Sequence, residues 1–476
     1  MKHFNQIFFH KKELRKIWLF SFFKKASSQG VQLTELLIAY PYSRKTFHSD
    51  MKELRQDLVV VYKNQILIEQ ENGIYRLDNE SKISSQKLIL YYAKRSRDFS
   101  VFHTIAKNRK ASFSYLTTKL YYSQSSIYNS MKKLNVEFES VGVSCSTNGL
   151  SGEEKKIRHL LFESYWSGFA GIEWPFDVPR EQLVQEIKKL EELGIRLNEL
   201  EKEKILYWLA VTEIRLSKGN SIIDTGDKSI SRKNRTILFQ SFFELSSNEY
   251  SREYNFEDEE AFLISTIYFL RDHQVELQEQ DNQLNSVIKI EKYLKLRGAN
   301  SGLSQIELNQ FQKQLIKINY YLKENLIDLY HFLEPKAKSY YEENFILMED
   351  DWHLLQKDIY AEISSIYVLA AKNNGVSLVK PLRIHLVSKE GRTSEIGHFF
   401  KKYSDYPIEI THTIETETDI LLTDFLSGVQ QEELKPKIFV YEWPVTDAQL
   451  QTILSQAIDS KKRYLSERVG NLIASF

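Results

Sequence analysis

Two stretches of this 476-residue chain repeat one another at a spacing of 80 residues, so a single local fold has to satisfy both. Tyr42, Ser43, Met51, Lys52 and Leu54 in the first stand where Tyr122, Ser123, Met131, Lys132 and Leu134 stand in the second, and Phe47 answers Ile127. The apolar members fall at i, i+4 and i+7, the buried stripe of an amphipathic helix. Ser43 and Ser123 precede the two stripes and are suited to cap the helix N-termini. Opposite the stripe the first copy presents Arg44, His48, Lys52 and Arg55, with Lys45 and Ser49 alongside. The second presents Gln124, Tyr128 and Lys132, with Ser125, Asn129 and Lys133. Together with Thr46 and Ser126 and the two capping serines, these form the candidate DNA-contacting set. Polar and basic side chains on the first turns of such a helix reach base edges in a major groove.

The surroundings of each copy agree with that expectation. A shorter amphipathic segment precedes each helix by a tight connection, Leu33–Tyr40 in the first copy and Phe113–Leu120 in the second. Further upstream lie helical stretches at Glu13–Ala26 and Gln86–Arg95. After the first copy, Val59–Tyr62 and Ile66–Ile68 read as strands, and Asn72-Gly73 before Ile74–Leu77 signals a hairpin. Helix, helix, recognition helix and hairpin make a winged helix-turn-helix, expected at residues 1–80 and again at 81–150.

Charge is distributed to match. The chain has no formal net charge, yet residues 1–150 hold 24 Lys and Arg against 12 Asp and Glu, and the remainder 40 against 52. A basic third on an acidic body suits a polyanionic partner. With 42% hydrophobic and 27% charged residues the composition is that of a globular protein. The longest apolar run near the start, Ile17–Phe23, is too short to span a bilayer. The sole cysteine, Cys145, leaves no internal disulfide or cysteine-based zinc site, and a reducing cytoplasm is the expected location.

Beyond the repeat, Gly152-Glu-Glu-Lys-Lys-Ile-Arg158, Glu163-Ser-Tyr-Trp166 and Glu173-Trp-Pro-Phe176 resemble the passage that follows the second helix-turn-helix in Mga-type transcription regulators. The resemblance implies a multidomain, mainly α chain. Two helix-turn-helix units would be followed by two helical phosphotransferase-system regulation domains, at 151–275 and 276–376. A C-terminal α/β domain similar to a sugar-transporter IIB subunit would close the chain at 377–476. It further implies a double-stranded DNA-binding activator of the global or virulence type, working as a homodimer and tuned by a phosphotransferase-system phosphocarrier. The sequence pattern is compatible: residues 155–272 and 283–373 are helical by period, the first set interrupted at Asp224–Asn234 and the second broken at Gly298–Ser304 and ended by Asn374-Gly375. From Pro381 onward strands at Leu382–Val387, Ile408–His412, Ile420–Thr423 and Ile438–Tyr441 alternate with helices at Thr393–Tyr403 and Asp447–Ile458.

Regulation domains of this type respond to phosphorylation on histidine. The resemblance places Trp208 where the first such histidine would stand and retains His331 in the second, within Leu329–Pro335. The phosphorylated cysteine of IIB domains has no counterpart in Leu386–Gly391, and Ser388 has no activating base evident in the sequence. No enzymatic activity and no cofactor are therefore expected. His353, His385, His398 and His412 lack metal-ligand spacing. An RNA-binding antiterminator is the competing expectation, because similar regulation domains occur in that class. Such a chain should open with a small β-rich module.

Overall fold

In a computed structural model, the residues described are 2–25, 30–62, 68–71, 73–77, 84–108, 110–192, 194–222, 256–271, 282–300, 303–345, 348, 352–353, 359–388, 393–404, 406–411, 413, 418–424, 437–441 and 446–474. They form two compact bodies: one comprises Met1–Val275 with Glu324–Leu333, the other Glu276–Lys323 with Glu334–Phe476. The chain is mostly helical, with a small parallel sheet near its C-terminus.

The first body opens with α1 (Lys2–Phe8) and α2 (Lys11–Lys25). A short β1 (Val31–Gln32), α3 (Leu33–Ala39), α4 (Arg44–Val61) and the strands β2 (Ile68–Glu71) and β3 (Ile74–Leu77) follow. β2 and β3 pair antiparallel, with Glu71 opposite Ile74, as the expected hairpin requires, and Gly73 adopts a left-handed φ of 78°. β1 adds to the other side of β3 and was not expected, being two residues long and too short to show alternation. It depends on Gly30, whose φ is 87° and where a Cβ would lie 2.7 Å from the Tyr75 carbonyl oxygen.

One expected strand is overturned. Val59–Val61 form the last turn of α4, and Tyr62 closes that helix with its N–H on the Leu58 carbonyl. Three consecutive valines favour a strand locally. The stripe of Phe47, Met51 and Leu54 nevertheless continues to buried Leu58, and that packing decides the matter. Residues 66–67 of the other expected strand lie outside the described residues, while Ile68 begins β2.

After α5 (Ser85–Arg95), the second copy comprises α6 (Arg97–Lys107), α7 (Phe113–Leu120) and α8 (Gln124–Phe138), ending in a 3-10 turn at Glu139–Val141. The hairpin β4 (Ser144–Ser146) and β5 (Gly149–Ser151) completes it. α6, not the expected Gln86–Arg95 stretch, is the helix equivalent to α2, because it is α6 that packs on both α7 and α8. Ser96 marks its start, accepting from the Phe99 N–H at 3.1 Å.

The remainder of this body contains α9 (Glu154–Phe169), α10 (Arg180–Glu192), α11 (Glu199–Leu216) and α12 (Phe256–Leu270). Fully buried Arg158 of α9 makes two bonds to Glu259 of α12, at 2.6 and 2.9 Å, and one to Glu154 at 3.0 Å. Glu154 in turn receives Arg215 of α11 at 2.7 Å. Each buried charge is thereby paired, the condition under which such groups are tolerated in a core. The expected interruption at Asp224–Asn234 lies outside the described residues.

In the order of the chain, the second body contributes α14 (Asn282–Asn300) and α15 (Gln305–Lys323); α13 (Ile327–Leu333) follows them in sequence but packs in the first body. α16 (Lys336–Asn344) and α17 (Ala361–Asn373) complete the helical set, with Gly375 at φ 75° ending it. The terminal α/β part has β6 (Leu382–Val387), α18 (Thr393–Tyr403), β7 (Ile408–Thr411), β8 (Ile420–Thr423), β9 (Lys437–Val440) and α19 (Asp447–Ala474). The sheet order is β7-β6-β8-β9, all parallel. Leu382, Ile384 and Leu386 pack with Ile396 and Phe400 of α18 and with Leu450 and Leu454 of α19. α19 continues well past the expected end at Ile458.

His103 joins the second copy to α9 through a 3.0 Å contact of Nδ1 with the Tyr165 hydroxyl. Burial, reinforced by the Lys107 cation, pushes its pKa down to about 3 from an ordinary 6.5. Between those values the unfolded chain binds a proton that the folded chain does not, so stability declines as pH drops below 6.5. From pH 6.5 to about pH 5 this group alone should remove up to about 2 kcal/mol. Urea unfolding of His103→Gln should show a correspondingly shallower acid limb than the wild type, and identical limbs would refute the assignment.

Candidate nucleic-acid interface

Both recognition helices begin as their serines suggest. Ser43 Oγ accepts the Thr46 N–H at 3.2 Å, and Ser123 Oγ accepts the Ser126 N–H at 3.2 Å. Ser43 also meets the Thr46 hydroxyl at 2.9 Å, and the Ser123 hydroxyl donates to the Ser126 hydroxyl at the same distance. These four residues therefore organise the first turns. Phe47, Met51 and Leu54, like Ile127, Met131 and Leu134, are buried as the stripe requires.

Each recognition helix is fastened to the first helix of its copy by a buried carboxylate. In the first copy this is Asp50 of α4, fully buried, which receives Arg15 of α2 at 2.5 and 3.1 Å and the Tyr40 hydroxyl at 2.5 Å. Burial raises the Asp50 pKa, but the Arg15 and Tyr40 hydrogen bonds outweigh it and hold the group below the ordinary carboxylate value. In the second copy the acid belongs to α6. Asp98 accepts from Ser130 of α8 at 2.6 Å and pairs with Lys133 of α8 at 2.8 Å, while Arg97 donates to the Ser130 hydroxyl at 2.9 Å. Asp98 is likewise held down, burial being overcome by Lys133 and Ser130. Ser130 occupies the repeat position of Asp50, so the acid has moved to the opposite helix. This fastening was not found from the sequence, because an alignment of Asp50 with Ser130 hides it.

With these roles assigned, the exposed faces follow. Arg44, Lys45, His48, Ser49 and Lys52 are exposed on α4. Arg55 is half-buried, its guanidinium 5.7 Å over the ring of Tyr75 in β3. On α8, Gln124, Ser125, Tyr128, Asn129 and Lys132 are exposed, whereas Lys133 serves Asp98. Tyr121, 92% exposed, occupies the turn before α8 at a left-handed φ of 57° and was not singled out in the sequence. The hairpin is tied to α8 by Asn135, which accepts the Cys145 N–H at 2.6 Å and donates to its carbonyl at 3.1 Å.

The other candidate residues lie elsewhere. His331 is half-buried on α13. Trp208 is fully buried on α11, 4.7 Å from the His159 ring and 5.4 Å from Phe162, a core position. Ser388 follows β6 and donates to Asp424 Oδ2 at 2.9 Å, a carboxylate partner that the sequence did not make evident. His385 contacts the Thr411 carbonyl at 3.0 Å, His398 is exposed, and His412 lies outside the described residues. Among the described residues no group of His, Cys, Asp or Glu could hold a metal ion, and no helix is long and apolar enough to cross a membrane.

A three-helix arrangement with a capped, polar-faced third helix and a following hairpin defines the class: a helix-turn-helix protein of the DNA-binding transcription regulators. Residues 81–165, spanning α5 through most of α9, match the model of the Mga helix-turn-helix domain. No curated protein matches the chain.

Removing the Asp50 carboxylate would leave a buried Tyr40 hydroxyl and a partly buried Arg15 without their acceptor. Asp50→Ala should cost about 3–5 kcal/mol in urea unfolding. Asp50→Asn, which still offers one acceptor to Tyr40, should cost less. Equal and small losses in both variants would show that the pair does not secure α4.

Proposed function

We propose that the protein is an Mga-type transcription activator that binds double-stranded DNA with both copies of its helix-turn-helix. The observation that carries this reading is the pair of capped recognition helices, each fastened from behind by a buried acid and each presenting a polar face outward. The match over residues 81–165 supports it for the second copy. The first copy shares the sequence repeat and supplies the stronger charge, through Arg44, Lys45 and Lys52. The second copy, with Gln124, Ser125, Tyr128 and Asn129, contributes hydrogen bonds and one clear phosphate cation, Lys132. The competing antiterminator reading gains nothing from the match over residues 81–165, which is to a helix-turn-helix domain.

In this reading residues 151–275 and 276–376 act as regulation domains, and 377–476 as a IIB-like α/β domain that supports a homodimer. The parallel sheet and its order support the last assignment at the level of fold. A cytoplasmic location fits a DNA-binding protein with a single, buried cysteine.

Duplex binding measured over a salt series tests the DNA contacts. The double variant Arg44→Ala, Lys45→Ala should lose about 1–3 kcal/mol of affinity. Lys132→Ala should lower the salt slope by about one. Unchanged affinity in the first and an unchanged slope in the second would overturn the proposed contacts.

The regulation domains make His331 the candidate phosphoryl acceptor, because buried Trp208 offers no acceptor in the first domain. His331→Ala should abolish labelling by the general phosphocarrier, and His331→Asp should imitate the added charge in dimerisation or promoter activity. Labelling that persists in His331→Ala would remove the residue from this role.

A further inference from the structure

The chain leaves the second body after Lys323 and returns to it at Glu334, and the ten residues between are packed into the first body. Asn325 turns the backbone at a left-handed φ of 54°, after which α13 (Ile327–Leu333) begins. Leu326, Leu329, Tyr330 and Phe332 are all buried. The Phe332 ring lies 6.2 Å from Phe138, the last residue of recognition helix α8, and Phe138 lies 5.7 Å from Phe102 of α6. α13 also packs on the 3-10 turn Glu139–Val141. Two ion pairs to the start of α9 complete the attachment: Lys155 with Glu324 at 2.9 Å, and Lys156 with Asp328.

Seven residues are too few for a helix to hold in water by itself, so α13 exists as a helix by virtue of its seat. The seat is made from the end of the recognition helix and the start of α9, directly after the second hairpin. Both ends of the segment are continuous with helices of the second body, α15 before it and α16 after it. A displacement of those helices would therefore pull on the C-terminal end of α8 through covalent chain. Of the attachments, the Asp328 side chain is 44% exposed, so its pair is open to water and salt.

We propose that Glu324–Leu333 is a strap: docked, it holds the second recognition helix in its DNA-binding position, and released, it passes a change in the second body to the DNA-reading surface. The proposal rests on the DNA-binding reading above. It assigns Phe332 as the contact to α8 and the Lys155–Glu324 and Lys156–Asp328 pairs as the fastening that release must break.

Hydrogen exchange of the full-length protein, with and without duplex DNA, tests this. The double reversal Lys155→Glu, Lys156→Glu sets like charges against Glu324 and Asp328. Residues 324–333 and the last turn of α8 should then exchange about tenfold faster, while α2–α4 are unchanged. Duplex affinity should fall by about threefold or more, the scale of a lost partly exposed pair. Adding Glu324→Lys and Asp328→Lys should restore both. If the double reversal does not fold, the milder Glu324→Gln, Asp328→Asn protein decides, with the same local loss expected at smaller size. Unchanged exchange in 324–333, or faster exchange there with unchanged DNA affinity, would overturn the strap. A wild type that does not bind duplex DNA would instead overturn the DNA-binding reading, and the strap's role with it.

Discussion

A recognition helix is useful only if its outward face is held still, and here the holding is done by one buried carboxylate in each copy. Asp50 and Asp98 both lie out of solvent, each with two or more donors converging on it. An unpaired charge at either place would be costly to bury, whereas a fully bonded one resists any sliding of the third helix against the first. Apolar stripes alone tolerate small rotations, because Phe47, Met51 and Leu54 could repack at modest expense. Hydrogen bonds to a carboxylate tolerate far less, since they fail beyond a few tenths of an ångström. The same device recurs one step further out, where Asp57 of α4 receives Lys16 of α2 at 2.5 Å and Tyr92 of α5 at 2.7 Å. The first copy is in this way secured to the helix that leads into the second.

How much of this could be read from residues alone depended on whether the determinant was local. The recognition helices are legible because a capping serine, a buried stripe and their repetition all lie within one turn or two. The terminal strands are legible for a related reason: Leu382–Val387 alternates apolar residues with Arg383 and His385, Ile420–Thr423 is a short, mostly apolar run, and strand-helix alternation admits few alternatives. The errors have the opposite character. Val59–Val61 look extended by propensity, and only the docking of Leu58 and Tyr62 keeps them helical. The Ser388–Asp424 bond joins the ends of neighbouring parallel strands 36 residues apart, a proximity that exists only once β6 and β8 are side by side. The assignment of 324–333 to the first body has no local signature whatever, since its sequence is an ordinary amphipathic helix.

Trp208 shows how a site position can turn into a core position. Its ring lies among His159, Phe162 and Phe262, and the adjoining Arg158, Glu154, Arg215 and Glu259 form a closed ionic set around the same helices. A phosphorylatable side chain would need an approach to solvent, and this environment offers none to residue 208. His331 differs in kind. It sits half-buried on a seven-residue helix whose neighbours Leu329, Tyr330 and Phe332 face inward.

The polarity of the two fastenings also accounts for the unequal chemistry of the two faces. In the first copy the acid comes from the recognition helix and its cation from α2, so every basic residue on the early turns of α4 stays outside. In the second copy the acid comes from α6, and neutralising it takes a lysine from the recognition helix itself. Lys133 is thereby withdrawn, leaving Lys132 among Gln124, Ser125, Tyr128 and Asn129. A cation-rich face gains affinity from phosphates whatever the sequence, and a neutral polar face gains it where base edges offer matching donors and acceptors. Exchanging the side on which one buried carboxylate stands is enough to give two copies of one fold these different characters. It also explains why the repeat is clearest along the buried stripe and weakest along the face turned outward: the stripe answers to the same packing in both copies, while the exposed residues answer to what each fastening leaves free.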